Sequence, residues 1–110
     1  MALRHEVYQA LGDPTRLEIV ERLGQRGPLP TLELVEGLGM TRQAATKHLL
    51  VLEQAGLVES HHRGRQVVRE LRLEVLDEAA DWLSRRAAMW DQRLDALKRF
   101  VESEMEEARE

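Results

Sequence analysis

The stretch from Thr31 to Arg72, TLELVEGLGMTRQAATKHLLVLEQAGLVESHHRGRQVVRELR, restricts the fold more than any other part of the chain. Thr41 can accept a hydrogen bond from the orphan N–H groups of a first helical turn, and Gly39 lets the chain bend sharply just before it. A helix is therefore predicted to begin at Thr41. It is predicted to stop at Ala55, because Gly56 suits the left-handed conformation that closes a helix. At about 100° per residue, Ala45, Leu49 and Leu52 share one side, Gln43, Lys47 and Gln54 lie opposite, and Thr46 stands on the flank. Thr31 repeats the capping logic for a shorter helix ahead of this one, with Leu32, Val35 and Leu38 as its inner face and Gly39 as the turn between the two. After Gly56, Leu57 to His61 and Gln66 to Leu71 have the composition of strands, and His62-Arg63-Gly64-Arg65 supplies the bend of a hairpin.

The polar side of the second helix has a distinctive alphabet. Arg42, Gln43, Thr46 and Lys47 can hydrogen-bond to base edges or phosphates, they occupy the first two turns, and no acidic side chain intervenes between Thr41 and Val51. An ordinary solvated helix face would have no need of that selection. Arg63 and Arg65 project from the hairpin tip on either side of Gly64, a placement that suits phosphate oxygens. A helix for the major groove with a basic hairpin beside it is the arrangement these residues predict.

Three segments carry a family resemblance: Leu11-Gly12-Asp13-Pro14-Thr15-Arg16-Leu17, Thr41-Arg42-Gln43-Ala44-Ala45-Thr46-Lys47-His48-Leu49 and Leu52-Glu53-Gln54-Ala55-Gly56-Leu57-Val58. Together with the Arg63-Gly64-Arg65 tip, they make the chain from about Val7 to Leu71 resemble the ArsR/SmtB winged-helix transcriptional regulators. The resemblance implies a dimeric repressor that reads an imperfect palindrome in a promoter and is often released by a metal or another inducer. It carries the family's DNA-reading positions onto Thr41, Arg42, Gln43, Thr46, Lys47 and His48, with Arg63 and Arg65 as wing contacts. Relatives often have a basic residue where this chain has Leu50, so that phosphate contact is not carried over.

The net charge of −4 is uninformative until it is divided. Between Thr41 and Arg72 six cations face three carboxylates, a local +3 that leaves −7 for the remainder. Nucleic acid responds to the local field. Cysteine is absent, which excludes disulfides, thiol redox switching and thiolate metal sites. The resembled family often places sensing cysteines on the first helix of the pair, where this chain reads Thr31-Leu32-Glu33-Leu34-Val35-Glu36. Its zinc sites in the last helix need histidine beside carboxylate, and no histidine follows His62. Neither a metal nor another cofactor is expected. Adjacent His61 and His62 point to opposite faces of a strand and cannot readily chelate one ion. No apolar run approaches the ~20 residues of a membrane span, and no signal peptide is visible, so the expected location is the cytoplasm.

Ahead of the central stretch, Leu3, Val7 and Leu11 recur at helical spacing and Gly12 interrupts them. Asp13 is placed to cap a second helix whose first residue is Pro14, and Leu17, Val20 and Leu23 form its apolar stripe with Ile19. That helix is predicted to end near Gly24 to Gly27, with Pro28 and Pro30 stiffening the link.

The last third, from Glu74, contains neither Gly nor Pro. Leu76, Ala80, Leu83, Ala87, Trp90, Leu94, Leu97 and Val101 are spaced alternately by 4 and 3, a repeat suited to paired helices. Its acidic end beyond Val101 is expected to fray. Large side chains on more than one face, Trp82, Met89 and Trp90, raise the expectation of an apolar site for a small inducer at a dimer interface. The resembled family dimerises through its first and last helices, which places Leu3, Val7, Leu83, Ala87, Trp90, Leu94 and Leu97 at the interface.

The expected fold is mainly α with a small β-hairpin: a winged helix-turn-helix in the order α-α-α-α-β-β-α, closed by a long dimerisation helix. One domain spans 1–110, divided into N-terminal helices (1–30), helix-turn-helix (31–56), wing (57–72) and C-terminal helix (73–110). No nucleophile, base or phosphate loop stands at catalytic spacing, so an enzyme is not expected. The expected partners are double-stranded DNA and a second copy of the chain, with an unidentified inducer as a further expectation. The competing function is a winged-helix adaptor that binds protein, which would not require the convergent Arg42, Lys47, Arg63 and Arg65.

Overall fold

The computed structural model describes residues 4–109. Its elements are α1 (Arg4–Leu11), α2 (Pro14–Arg26), β1 (Leu29–Pro30), α3 (Thr31–Leu34), α4 (Arg42–Gln54), β2 (Val58–Arg63), β3 (Gln66–Leu71) and α5 (Leu73–Arg109). By contacts they fall into two compact units, Met1–Asp77 and Glu78–Glu110.

In the first unit the helix boundaries follow from capping chemistry. The Asp13 carboxylate accepts from the Arg16 N–H at 3.0 Å, Pro14 stands where its missing N–H is not needed, and α2 closes at Gly27. Arg16 turns back to donate to the Ala10 carbonyl through Nε at 2.7 Å and to the Gln9 carbonyl at 3.3 Å, satisfying two acceptors that α1 leaves open. Thr41 Oγ1 accepts from the Ala44 N–H at 3.1 Å, which starts α4 at Arg42, and Ala55 caps its other end. Both ends of α4 match the positions that Thr41 and Gly56 predict.

The core of this unit is assembled from one face of each helix and the inner side of the sheet: Val7, Ala10, Ile19, Val20, Leu23, Leu34, Ala45, Leu49, Leu52, Leu57, Val58 and Val68 are all buried. Val7, expected at a subunit interface, is only 3% exposed because α1 packs that face onto α2 and α4. Leu3, its expected companion, lies outside the described residues. Leu17 belongs to the exposed edge of α2, and Ile19 takes the central place in its stripe.

Three local features differ from expectation. The helix predicted from Thr31 is a single turn, because Gly37 (φ 81°) and Gly39 (φ 69°) both adopt left-handed backbone and Arg22 Nη1 holds the carbonyls of Leu34 (3.1 Å) and Glu36 (2.6 Å). In that tightened turn Leu34 points into the core and Leu32 is exposed, the reverse of the predicted face, while Thr31 is the first helical residue and Pro30 the cap. The Pro-rich link contributes a two-residue edge strand, β1, pairing Leu29 with Arg69 and Pro30 with Val68, so the hairpin becomes a three-stranded antiparallel sheet of order β1-β3-β2. Proline is tolerated there because an edge strand can leave one side of its backbone unpaired.

In the hairpin, Val58 pairs with Leu71 and Arg63 with Gln66, leaving Gly64-Arg65 as a two-residue loop. Gly64 has φ 61° and Arg65 does not share the positive sign, the pattern of a type II′ turn.

The second unit consists of helix. α5 runs 37 residues to Arg109, through the acidic end expected to fray, since nothing after Leu73 breaks a helix and Glu, Arg, Met and Ala all favour one. Leu83, Trp90, Leu94, Leu97, Phe100, Val101 and Met105 are exposed along it. Arg86 lies over the Trp82 ring at 5.1 Å and Arg93 over Trp90 at 5.3 Å. No helix is long and apolar enough to cross a membrane among the described residues.

The Thr41 cap holds the first turn of α4. Replacing Thr41 with Ala is expected to lower unfolding stability by about 1 kcal/mol, measured by urea titration; an unchanged midpoint would show that the cap contributes nothing.

Candidate nucleic-acid interface

With Ala45, Leu49 and Leu52 fully buried, the helical period turns Arg42, Gln43, Thr46 and Lys47 outward, and all four are exposed. Arg42 and Lys47 have no carboxylate within ion-pair distance among the described residues, and neither do Arg63 and Arg65 at the hairpin end. These four cations are therefore available to an anionic partner.

The two threonines differ chemically. Thr41 Oγ1 already accepts a bond from Ala44, so its hydroxyl hydrogen remains available to a phosphate oxygen. Thr46 donates its hydrogen to the Arg42 carbonyl at 2.9 Å, leaving lone pairs and a methyl group facing outward. Thr46 can thus accept from an amino group on a base or meet a thymine methyl.

His48 is placed apart from this set. Half-buried, it directs Nδ1 toward α2, 3.5 Å from Arg16 Nη1 and 4.0 Å from the Asp13 carboxylate. Its ring braces α4 against the start of α2. Leu50, at the position where relatives often have a base, is half exposed on α4.

Local charge counting treats all six cations between Thr41 and Arg72 alike, and the structure separates them. Arg69 is paired with Glu53 at 2.5 Å and Arg72 with Glu74 at 2.7 Å. His61, on the wing, meets Glu70 at 3.1 Å. No group of three or more His, Asp or Glu residues is arranged to hold a metal among the described residues.

A helix with an unpaired cationic face, braced by the helices before it and flanked by an arginine-tipped hairpin, defines a winged helix-turn-helix protein of the DNA-binding class. Residues 11–61 match a family model described as a helix-turn-helix domain. Over 65 residues the chain is 45% identical to YuzN, an uncharacterized HTH-type transcriptional regulator of Bacillus subtilis, covering 54% of this chain and 71% of that one. It is 27% identical over 79 residues to the transcriptional repressor SdpR of the same species, covering 72% and 87% respectively. A solved ArsR-like transcriptional regulator from Rhodococcus sp. RHA1 is similar with a TM-score of 0.76 at 39% identity, covering 88% of this chain and 91% of that one. The chain belongs to the ArsR family of winged-helix, DNA-binding transcriptional regulators.

Asp13 joins the α2 cap to His48. The backbone N–H of Arg16, with the positive charge of Arg16 and proximity to His48, holds its carboxyl below the usual aspartate range. A depressed folded-state pKa stabilises the fold above the unfolded value and loses that contribution as pH falls through the folded one. Stability should therefore decline below about pH 4, and Asp13→Asn, which keeps an acceptor without a titrating group, should flatten that decline. Identical acid-unfolding profiles for the two proteins would contradict this role.

Proposed function

We propose that the chain is a dimeric repressor that binds an imperfect palindrome in promoter DNA, with one α4 in the major groove of each half-site. The observation that carries this is the set of four unpaired cations, Arg42 and Lys47 on the first turns of α4 and Arg63 and Arg65 on the wing, with Gln43 exposed among them. Arg42, Gln43 and Thr46 have the chemistry to read base edges, and Thr41, Lys47, Arg63 and Arg65 the chemistry to hold phosphates. The name of SdpR as a repressor supports control by occlusion.

Dimerisation is supported by α5. Leu83 (50% exposed), Trp90 (58%), Leu94 (51%) and Leu97 (57%), with the exposed Ala87, repeat every three or four residues along it. An apolar stripe of that length in water favours association with a second copy. Two recognition helices about 34 Å apart would then meet half-sites one helical turn apart. An inducer, if the regulator is released by one, acts on this same dimer.

The test is binding to a duplex selected by the protein from a random-sequence pool, followed by fluorescence anisotropy across a salt series, with stoichiometry from sedimentation. Two chains per duplex are expected. Arg65→Ala should weaken all sequences alike and reduce the slope of log K against log salt by about 0.9. Gln43→Ala should instead lose discrimination at one base pair, by roughly 1 to 3 kcal/mol. Failure of the wild-type chain to enrich any sequence would overturn the proposal.

A further inference from the structure

Behind the exposed surface lies a polar cluster that joins four elements. Arg69 on β3 donates through Nη1 to the Glu53 carboxylate of α4 at 2.5 Å and to Ser60 Oγ of β2 at 2.8 Å. Its Nε donates to Thr31 Oγ1 at the start of α3 at 3.0 Å. Ser60 Oγ donates to the same Glu53 oxygen, and Thr31 Oγ1 donates to the Val67 carbonyl at 3.3 Å. The Arg69 side chain is 12% exposed and that of Glu53 29%. No buried side-chain nitrogen or oxygen among the described residues lacks a partner.

The cluster stands where the two limbs of the candidate interface diverge. From Glu53 to Arg42 along α4 is about 16 Å, and from Ser60 to Arg63 along β2 about 10 Å. A rotation of about 10° at that junction would carry the start of α4 about 3 Å, enough to break hydrogen bonds to base edges. The apolar packing around it, Leu49 and Leu52 near Leu57 and Val58, resists separation but is not directional. Charge-assisted hydrogen bonds from a planar guanidinium are directional, and they fix orientation as well as distance.

We infer that Glu53 and Arg69 are positioning residues that lock the wing to α4 at the angle DNA requires, so that helix and wing engage a duplex as one rigid unit. The inference rests on the DNA-binding role proposed above. It separates Arg69 from Arg63 and Arg65: all three are wing arginines, yet only the latter two would contribute to the salt dependence of binding.

The test compares wild type with the double variant Glu53→Leu/Arg69→Met, in which apolar side chains of similar size replace the ion pair. Such replacements are often neutral or stabilising for the fold, so stability and positioning can be read separately. Each background is combined with Arg65→Ala and titrated with the duplex selected by the wild-type chain. Rigid coupling makes the wing contact count fully in wild type: Arg65→Ala should weaken binding about tenfold there and less than about threefold in the double variant. The double variant itself should show weaker sequence discrimination with its thermal midpoint unchanged or raised. Ser60→Ala, which leaves both charges paired, should shift the same ratio in the same direction and serves should the double variant not fold. Equal Arg65→Ala factors in the backgrounds that fold would overturn the inference. Absence of any wild-type binding would instead strike the DNA-binding role itself.

Discussion

Ala45, Leu49 and Leu52 are withdrawn from water, and because they recur every three or four residues along α4, their burial fixes the direction in which every other side chain of that helix points. Burying a leucine is worth roughly 1.5 to 3 kcal/mol, more than an exposed ion pair or hydrogen bond is worth to the fold. Packing therefore decides the rotation of α4. Arg42, Gln43 and Lys47 are outward because turning them inward would bury charge and expose leucine. The same core receives Leu57 and Val58, which ties the hairpin to the end of α4, so the wing emerges from the burial that orients the helix.

Electrostatics then selects among the cations. Four of the six between Thr41 and Arg72 remain unpaired, and Arg69 and Arg72 are neutralised by Glu53 and Glu74. An excess of negative charge elsewhere in the chain is compatible with this, because nucleic acid responds to a field that weakens over roughly 10 Å at ordinary salt. The ion pair at Glu53 is better understood as a geometric device than as a source of stability, given the cost of removing both charges from water.

Much of this was legible in the residues. Thr41 and Gly56 marked both ends of α4, the 3.6-residue period marked its buried side, and Gly64 marked the bend of the hairpin. Local signals did not reach three other features. A two-residue strand such as β1 is too short to show alternation, and its pairing with Arg69 and Val68 depends on where the sheet already lies. The shortening of α3 needed Arg22, 12 and 14 positions away, to draw its carbonyls off the helix. The Glu53–Arg69 pair spans 16 positions with no spacing rule to announce it. For the same reason His48 sat on the edge of the DNA-reading set, since only the position of α2 reveals that Asp13 and Arg16 face it.

The central claim is that one contiguous surface, the first two turns of α4 and the tip of the wing, receives DNA. Amide and side-chain NMR shifts recorded while a selected duplex is added test it most directly. The account requires the largest changes at Arg42, Gln43, Thr46, Lys47, Arg63 and Arg65, with the exposed side of α2 around Glu18 and Glu21 unmoved. Changes confined to α2 or α5, with α4 and the wing silent, would contradict it.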